Sequence, residues 1–275
     1  MNYIALNIAF SEDEQAEILT AELADYPFES FETEDGTLKA YIPQERLADC
    51  KAGVDALLAR YGVQGRYIAI ETQNWNAVWE SNFPAVDVEG RLLIRAPFHD
   101  PAPEGVMEVV VMPKMSFGTG HHATTCLMAS GLLDRDVTGL RGLDMGSGTG
   151  VLAIVAALRG AEAVDAVDID EWAYENCVEN IRANGVETRV TPLLGDIEAI
   201  AGRRYDFIAA NINRNFLLAQ LPAYAAALEP GGDLVMSGFL EQDVPAIVAC
   251  AGELGLRPVA TAARDGWMMV HMRKG

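Results

Sequence analysis

Apolar positions recur with two different periods along this chain, and the changes of period divide it. Tyr3 to Phe10 alternates as a half-buried strand, and Glu12 to Tyr26 carries helical spacing behind a Ser11 cap. Phe28 to Ile42 reads as a hairpin turning at Asp35-Gly36, Glu45 to Tyr61 as a helix, and Arg66 to Thr72 as a strand. This βαββαβ order over residues 1–72 predicts a small ferredoxin-like α+β domain. Residues 73–112 read as a connector, with Trp75 and Trp79 on one helical face as a hydrophobic hinge and strand-like stretches at 91–95 and 107–112. From 113 to 275 helices alternate with short apolar runs at 141–146, 163–169, 188–194, 205–212, 232–238, 256–263 and 267–273. That α/β alternation predicts a doubly wound sheet of seven strands. The last two runs are joined only by Arg264-Asp265-Gly266, which forces an antiparallel hairpin.

Composition changes this picture little, and charge changes it more. Hydrophobic residues make up 50% of the chain and charged residues 22%, the balance of a folded protein with a sizeable core. The longest apolar runs, Val106 to Met112 and Val151 to Leu158, are too short to cross a bilayer, and the N-terminus lacks the basic start and cleavage site of a secretory signal. A cytoplasmic protein without membrane contact is expected. Cys50, Cys126, Cys177 and Cys250 are scattered without the paired spacing of a zinc site or redox couple, so no metal is expected. The formal net charge of −20 repels bare nucleic acid and favours a basic partner. Between Glu12 and Asp35 stand ten acids and no lysine or arginine, a run that reads either as a solvated face or as a surface for a basic protein.

The candidate chemistry lies at residues 142–150, Gly-Leu-Asp-Met-Gly-Ser-Gly-Thr-Gly, where an apolar run meets an acid and alternating glycines. Such a stretch predicts a strand turning tightly into a helix whose free N–H groups and positive dipole end face a ligand. Glycines at 146, 148 and 150 tolerate positive φ and keep Cβ atoms out of the ligand's way. Asp168, 18 residues beyond Gly150, falls at the end of the next predicted strand, where a carboxylate accepts hydrogen bonds from both ribose hydroxyls. Turn and acid together suit an adenosine-bearing cofactor, either a nicotinamide dinucleotide or S-adenosylmethionine. The glycines are spaced G-x-G-x-G rather than G-x-G-x-x-G, with Val151 where the last glycine of the dinucleotide pattern would stand. Asp144 suits the cationic methionine end of S-adenosylmethionine better than a pyrophosphate, although an acid here also serves to cap backbone amides.

Two further segments fall at the carboxyl ends of predicted strands. One ends in Asn211, which either meets the reacting centre or caps the helix beginning near Arg214. The other, residues 115–125, reads as a glycine-hinged mobile loop carrying Phe117, Gly118 and Thr119, ahead of a helix capped by Thr124 or Thr125. His121 and His122 read as loop-packing residues, since adjacent histidines without a third ligand make no metal site.

With these segments placed, the chain resembles the bacterial ribosomal protein L11 methyltransferases. Phe117-Gly118-Thr119-Gly120, His122 and Thr124-Thr125 follow that family's F-G-T-G-T-H-P-T-T loop, and Asn211-Ile212 with Asn215 follow its N-I-L-A-N-P-L segment. The chain departs at His121-His122-Ala123, where the family has T-H-P, and at residues 213–216, Asn-Arg-Asn-Phe, where it has L-A-N-P. The resemblance implies a Rossmann-like methyltransferase sheet in residues 113–275 behind an N-terminal recognition domain. It implies S-adenosylmethionine as cofactor, held by Thr125, Gly146, Asp168 and Asn211 beside Asp144 and Gly148, with the 116–125 loop closing over it. The implied reaction is methyl transfer to lysine side chains and the terminal amine of a basic ribosomal protein, L11 of the large subunit. No single residue is expected to act as an essential base, and a monomer without direct nucleic-acid contact is expected. The alternatives are a methyltransferase of this fold acting on a small molecule or RNA, and an NAD-binding oxidoreductase.

Overall fold

The computed structural model describes residues 3–10, 13–34, 36–70, 84–114 and 117–275, which belong to two compact units, Met1–Asn82 and Phe83–Gly275. The Ser11 cap and the hinge at Trp75 and Trp79 lie outside the described residues.

In the first unit the chain runs β1 (Tyr3–Ala9), α1 (Asp13–Leu23), β2 (Ser30–Glu34), β3 (Thr37–Pro43), α2 (Gln44–Arg60) and β4 (Gly65–Ile70). The strands form one sheet in the order β2-β3-β1-β4, each neighbouring pair antiparallel. Period-two alternation turns Ile4, Leu6 and Ile8 of β1 and Leu38, Ala40 and Ile42 of β3 to one face, where Leu19, Leu23, Val54, Leu57 and Leu58 of the helices complete a core. On other positions Tyr41 donates to Glu32 at 2.8 Å and Tyr3 donates to Glu29. Two acids of the 12–35 run find bases beyond it: Glu34 pairs with Lys39 at 2.5 Å and Glu22 with Arg60.

The second unit begins earlier than the sequence suggests. β5 (Val86–Val88), β6 (Leu92–Arg95) and β7 (Met107–Val110) form a three-stranded sheet. Its Val88, Leu92, Ile94 and Val109 share a core with α3 (Ala123–Leu133) and α4 (Val151–Leu158). Residues 84–112 are thus part of the larger unit's core and not a free connector.

The large sheet comprises β8 (Arg141–Met145), β9 (Ala163–Asp168), β10 (Val190–Leu194), β11 (Tyr205–Asn211), β12 (Leu228–Leu240), β13 (Leu256–Arg264) and β14 (Trp267–Lys274). Its order is β10-β9-β8-β11-β12-β14-β13, with only β14 antiparallel to its neighbours. Along β11, Phe207 and Ala209 enter the layer of α3, α4 and α5 (Glu171–Ala183), whereas Ile208 and Ala210 enter that of α6 (Arg214–Ala227) and α7 (Val244–Glu253). Helices on both faces explain why these strands read as continuous apolar runs. The β13–β14 hairpin turns through Asp265 (φ 51°) and Gly266 (φ 81°), the two positive φ values of a type I′ turn. From β8 the chain winds outward through β9 and β10, then restarts beside β8 at β11. Ligands bind in the crevice that this reversal opens beyond the carboxyl ends of the strands. Among the described residues no helix is long and apolar enough to cross a membrane.

Candidate functional site

The 146–150 turn joins β8 to α4. Gly146, Gly148 and Gly150 hold φ of 71°, 53° and 78°, a region that costs other residues about 1–2 kcal/mol each. A Cβ at Gly146 would lie 2.3 Å from Ile212 Cγ2, at Gly148 2.2 Å from the Phe117 carbonyl oxygen, and at Gly150 2.5 Å from Cys177 Sγ. The space that glycine was expected to clear for a ligand is filled by the protein itself. Gly146 and Gly148 nevertheless line the cleft.

Asp144 sits beneath this turn, 1% exposed, and lines no cavity described here. Its Oδ2 accepts the Ala153 N–H at 3.0 Å, so it braces the first turn of α4, whose Gly150 cap has no side chain to do so. Burial pushes its carboxyl up to about 7; the Ala153 bond pulls the other way and nearby Asp168 adds to the rise. The capping role weighed for this acid is the one its geometry displays, while Oδ1 has no hydrogen-bond partner.

Asp168 ends β9 and faces the cleft. Its Oδ2 accepts the Gly148 N–H at 2.8 Å and its Oδ1 the Asp170 N–H at 3.0 Å, which fixes the carboxylate with a lone pair to spare on each oxygen. Asn211 ends β11 on the other side of the turn and lines the same cavity, with its Oδ1 buried and unpartnered. It does not cap α6, because Asn213 does, accepting from the N–H groups of Asn215 and Phe216 at 3.2 Å each. Arg214 is drawn to Asp243, 3.4 Å away. Thr125 is fully buried, its Oγ1 also unpartnered.

Neither Thr124 nor Thr125 caps α3. His122 takes that position, its Nδ1 accepting the Thr124 N–H at 3.3 Å and lying 2.8 Å from Thr124 Oγ1. The His122 ring stacks at 5.3 Å from that of Phe117 and 4.7 Å from that of Trp267. His121 contacts the Pro84 carbonyl oxygen at 2.9 Å and Thr119 Oγ1 at 3.1 Å. Both histidines therefore pack the loop, as expected. Among the described residues no cluster of three or more metal-binding side chains occurs.

Two cavities meet at Phe117, Gly148 and Asp168. One, about 360 Å³, is bounded by Gly146, Asp168, Ile169, Asn211, Ile212 and Phe216; the other, about 700 Å³, by Lys114, Asp170 and Trp172 besides the shared residues. Phe117, 53% exposed, is the wall between them. Asp168, which lines the smaller cavity, keeps carboxylate lone pairs that accept hydrogen bonds from a ligand's donors. Ribose hydroxyls and amines supply such donors, whereas a pyrophosphate offers acceptors only.

The sequence reading passed over several residues that assemble this cleft. Asn176 and Asn180 of α5 and Asn184, the residue that caps its carboxyl end, follow one another at i, i+4, i+8. Asn184 bonds both the N–H (2.8 Å) and C=O (2.7 Å) of Val110, Asn180 accepts the Met112 N–H at 2.8 Å, and Asn176 donates to the Met112 carbonyl at 3.2 Å. The spacing of three asparagines on a helix was the available signal. Trp172, 80% exposed at the mouth of the larger cavity, was passed over as well, whereas Phe216, 57% exposed at the smaller one, already stands in the 213–216 segment where the chain departs from the family.

The comparisons with known proteins agree on one family. The family model described as Ribosomal protein L11 methyltransferase (PrmA) matches residues 3–275. A ribosomal protein L11 methyltransferase of Porphyromonas gingivalis is 43% identical over 258 residues, 91% of this chain and 88% of that protein. Another, of Chlorobaculum tepidum, is 35% identical over 274 residues, 96% of this chain and 94% of its own. The crystal structure of a ribosomal protein L11 methylase from Lactobacillus delbrueckii subsp. bulgaricus superimposes with a TM-score of 0.63 at 26% identity, covering 70% of this chain and 99% of that one. A Pyrococcus furiosus methyltransferase, 19% identical with a TM-score of 0.51, shares the fold. On the family match and this identity over nearly its whole length, the chain belongs to the ribosomal protein L11 methyltransferase family.

Proposed function

We propose that this protein transfers methyl groups from S-adenosylmethionine to lysine side chains and the terminal amine of ribosomal protein L11. The observation that carries the reading is the cavity bounded by Asp168 and Asn211, where the fixed Asp168 carboxylate calls for a ligand that donates, in a chain of this family. Asp168 takes the ribose hydroxyls, Gly146 and Gly148 bring the backbone close to the methionine end, and Phe117 with Gly118 and Thr119 covers it. Thr125 Oγ1 and Asp144 Oδ1 are unpartnered behind the turn, and they act on the ligand's amino-acid end through the turn that they support.

When bound, S-adenosylmethionine supplies a methyl group already activated by its positive sulfur. The chain's part is to present a neutral amine in line with it and to keep water away. A lysine ammonium near its ordinary pKa of about 10.4 has no lone pair to offer. Phe117, Ile212 and Phe216 form an apolar mouth that favours the neutral amine. Asn211 Oδ1 accepts one amine hydrogen and so aims the lone pair. Positioning and desolvation suffice, and no residue is assigned as a general base.

The first unit, with its βαββαβ order, β2-β3-β1-β4 sheet and acidic 12–35 run, is a ferredoxin-like recognition domain that meets the basic substrate. The enzyme acts as a cytoplasmic monomer, without direct contact to nucleic acid. Incubation with labelled S-adenosylmethionine and L11 of the same source, followed by mass spectrometry, tests the reading. Methylated lysines or a methylated terminus are expected. Tight cofactor binding with no transfer to L11 would overturn the acceptor and direct attention to Phe216 and the rest of the altered 213–216 segment.

A further inference from the structure

The loop before α3 reads in sequence as a mobile lid, yet its described residues are fastened. Thr149, fully buried in the middle of the glycine turn, makes bonds in three directions. Its N–H donates to the Phe117 carbonyl at 2.9 Å, and its Oγ1 donates to the Gly118 carbonyl at 2.7 Å. Its own carbonyl accepts the Asn180 side-chain N–H at 2.9 Å, and Asn180, equally buried, accepts the Met112 N–H at 2.8 Å through Oδ1. Met112 and Phe117–Gly118 are thereby tied to one residue of the turn, one directly and one through a single amide. Gly148 adds a close contact: the Phe117 carbonyl oxygen occupies the place its Cβ would take.

We propose that Thr149 and Asn180 are positioning residues that clamp the Phe117 segment onto the glycine turn, so that Phe117 meets the cofactor as a preset wall. The argument is geometric. Phe117 borders both cavities, and Gly148 borders both as well, so a ligand lying on the turn touches the clamped pair at once. Buried amide and hydroxyl groups that satisfy backbone atoms on two segments hold them in one arrangement, because releasing either leaves polar groups unpaired. Ordering of this wall before binding removes a cost that the ligand would otherwise bear. Neither residue touches the reacting atoms, and neither is a catalytic residue.

The inference rests on the reading of the cleft as an S-adenosylmethionine site, and the test separates the two. Calorimetric titration of S-adenosylmethionine into the full-length wild type comes first; failure to bind would overturn the cofactor reading. Thr149→Val keeps the shape and removes only the Oγ1 bond to Gly118, whereas Thr149→Ser keeps the bond. The valine variant is expected to bind the cofactor at least tenfold more weakly, with faster amide exchange in residues 117–120 and a lowered ligand-free melting temperature, because the Gly118 carbonyl loses its buried donor. The serine variant is expected to bind within about twofold of the wild type. Asn180→Leu, which can neither donate to Thr149 nor accept from Met112, is expected to behave like the valine variant; should it fail to fold, the Thr149 pair carries the test. Valine with unchanged affinity and unchanged exchange, or serine as impaired as valine, would overturn the clamp.

Discussion

At the scale of single residues, the cleft is defined by which polar side chains are already engaged. Asn211 and Asn213 lie two positions apart, and only Asn213 is spent on capping α6. Asn211 lines the cavity and its Oδ1 is unspent, so on the proposed orienting role Asn211→Ala is expected to lower kcat for methyl transfer by about 10²-fold, the cost of a misaimed nucleophile, with a smaller change in cofactor KM. Steady-state kinetics against L11 check it, and an unchanged kcat would remove Asn211 from the orienting role. Asp144 makes a different prediction because burial raises its carboxyl to about 7. The unfolded carboxyl titrates near about 3.9, so between these values the folded state holds a proton that the unfolded chain has released. Stability therefore falls as pH rises through that window and levels off above it. Asp144→Asn, whose side-chain oxygen still accepts from Ala153, is expected to flatten this part of the melting-temperature profile. A slope as steep as that of the wild type would assign the dependence to other groups.

At the scale of elements, the turns explain both what the sequence discloses and what it hides. The glycine turn was legible because three alternating glycines after an apolar run have few other uses, but the reason for each glycine was not. Gly148 has φ 53° and a Cβ direction that ends 2.2 Å from the Phe117 carbonyl oxygen. If its purpose were ligand space alone, Gly148→Ala would lose cofactor binding and keep its ligand-free stability. The packing found here predicts a loss of more than about 1 kcal/mol without any ligand, from backbone strain and the displaced loop. Thermal unfolding of the ligand-free variant decides between them. The α3 cap makes a second case: His122→Ala is expected to cost about 1 kcal/mol and His122→Asn less, since asparagine retains an acceptor for the Thr124 amide. Equal losses in the two melting curves would shift the role of His122 from capping to ring stacking. The strands of the large sheet were readable to within a few residues because most are short, largely apolar runs between helices and the last two are marked by the tight Asp265-Gly266 turn that joins them. β6 and β7 were legible as strand-like stretches within a connector, but β5 is only three residues long, and nothing local tells that the three strands pack beside α3 and α4 in the core. The asparagine ladder escaped for a related reason: its partners, Val110 and Met112, lie more than sixty residues earlier, and local pattern carries no trace of them.

At the scale of the whole molecule, the two units carry separate cores, and the charge divides labour between long and short range. On the proposed function, a net charge of −20 produces a field that draws a basic protein from a distance, whereas the cavity lined by Asp168, Asn211 and apolar walls acts only at contact. These two contributions respond differently to salt. Between about 0.01 M and 0.15 M ionic strength the screening length shrinks from about 30 Å to about 8 Å, which removes steering but leaves buried hydrogen bonds nearly untouched. KM for L11 is therefore expected to rise several-fold across this range, with kcat and the dissociation constant of S-adenosylmethionine within about twofold of their low-salt values. The exposed acids of the first unit, Glu29 and Glu32, should account for part of the change. Their double replacement by glutamine is expected to raise KM at low salt and weaken its salt dependence, while cofactor affinity stays the same. If KM for L11 does not respond to salt, or if the double variant responds as the wild type does, then the acidic run is a solvated face after all, and recognition of the substrate must reside in the short-range contacts around Phe117, Trp172 and Phe216 at the mouths of the cleft.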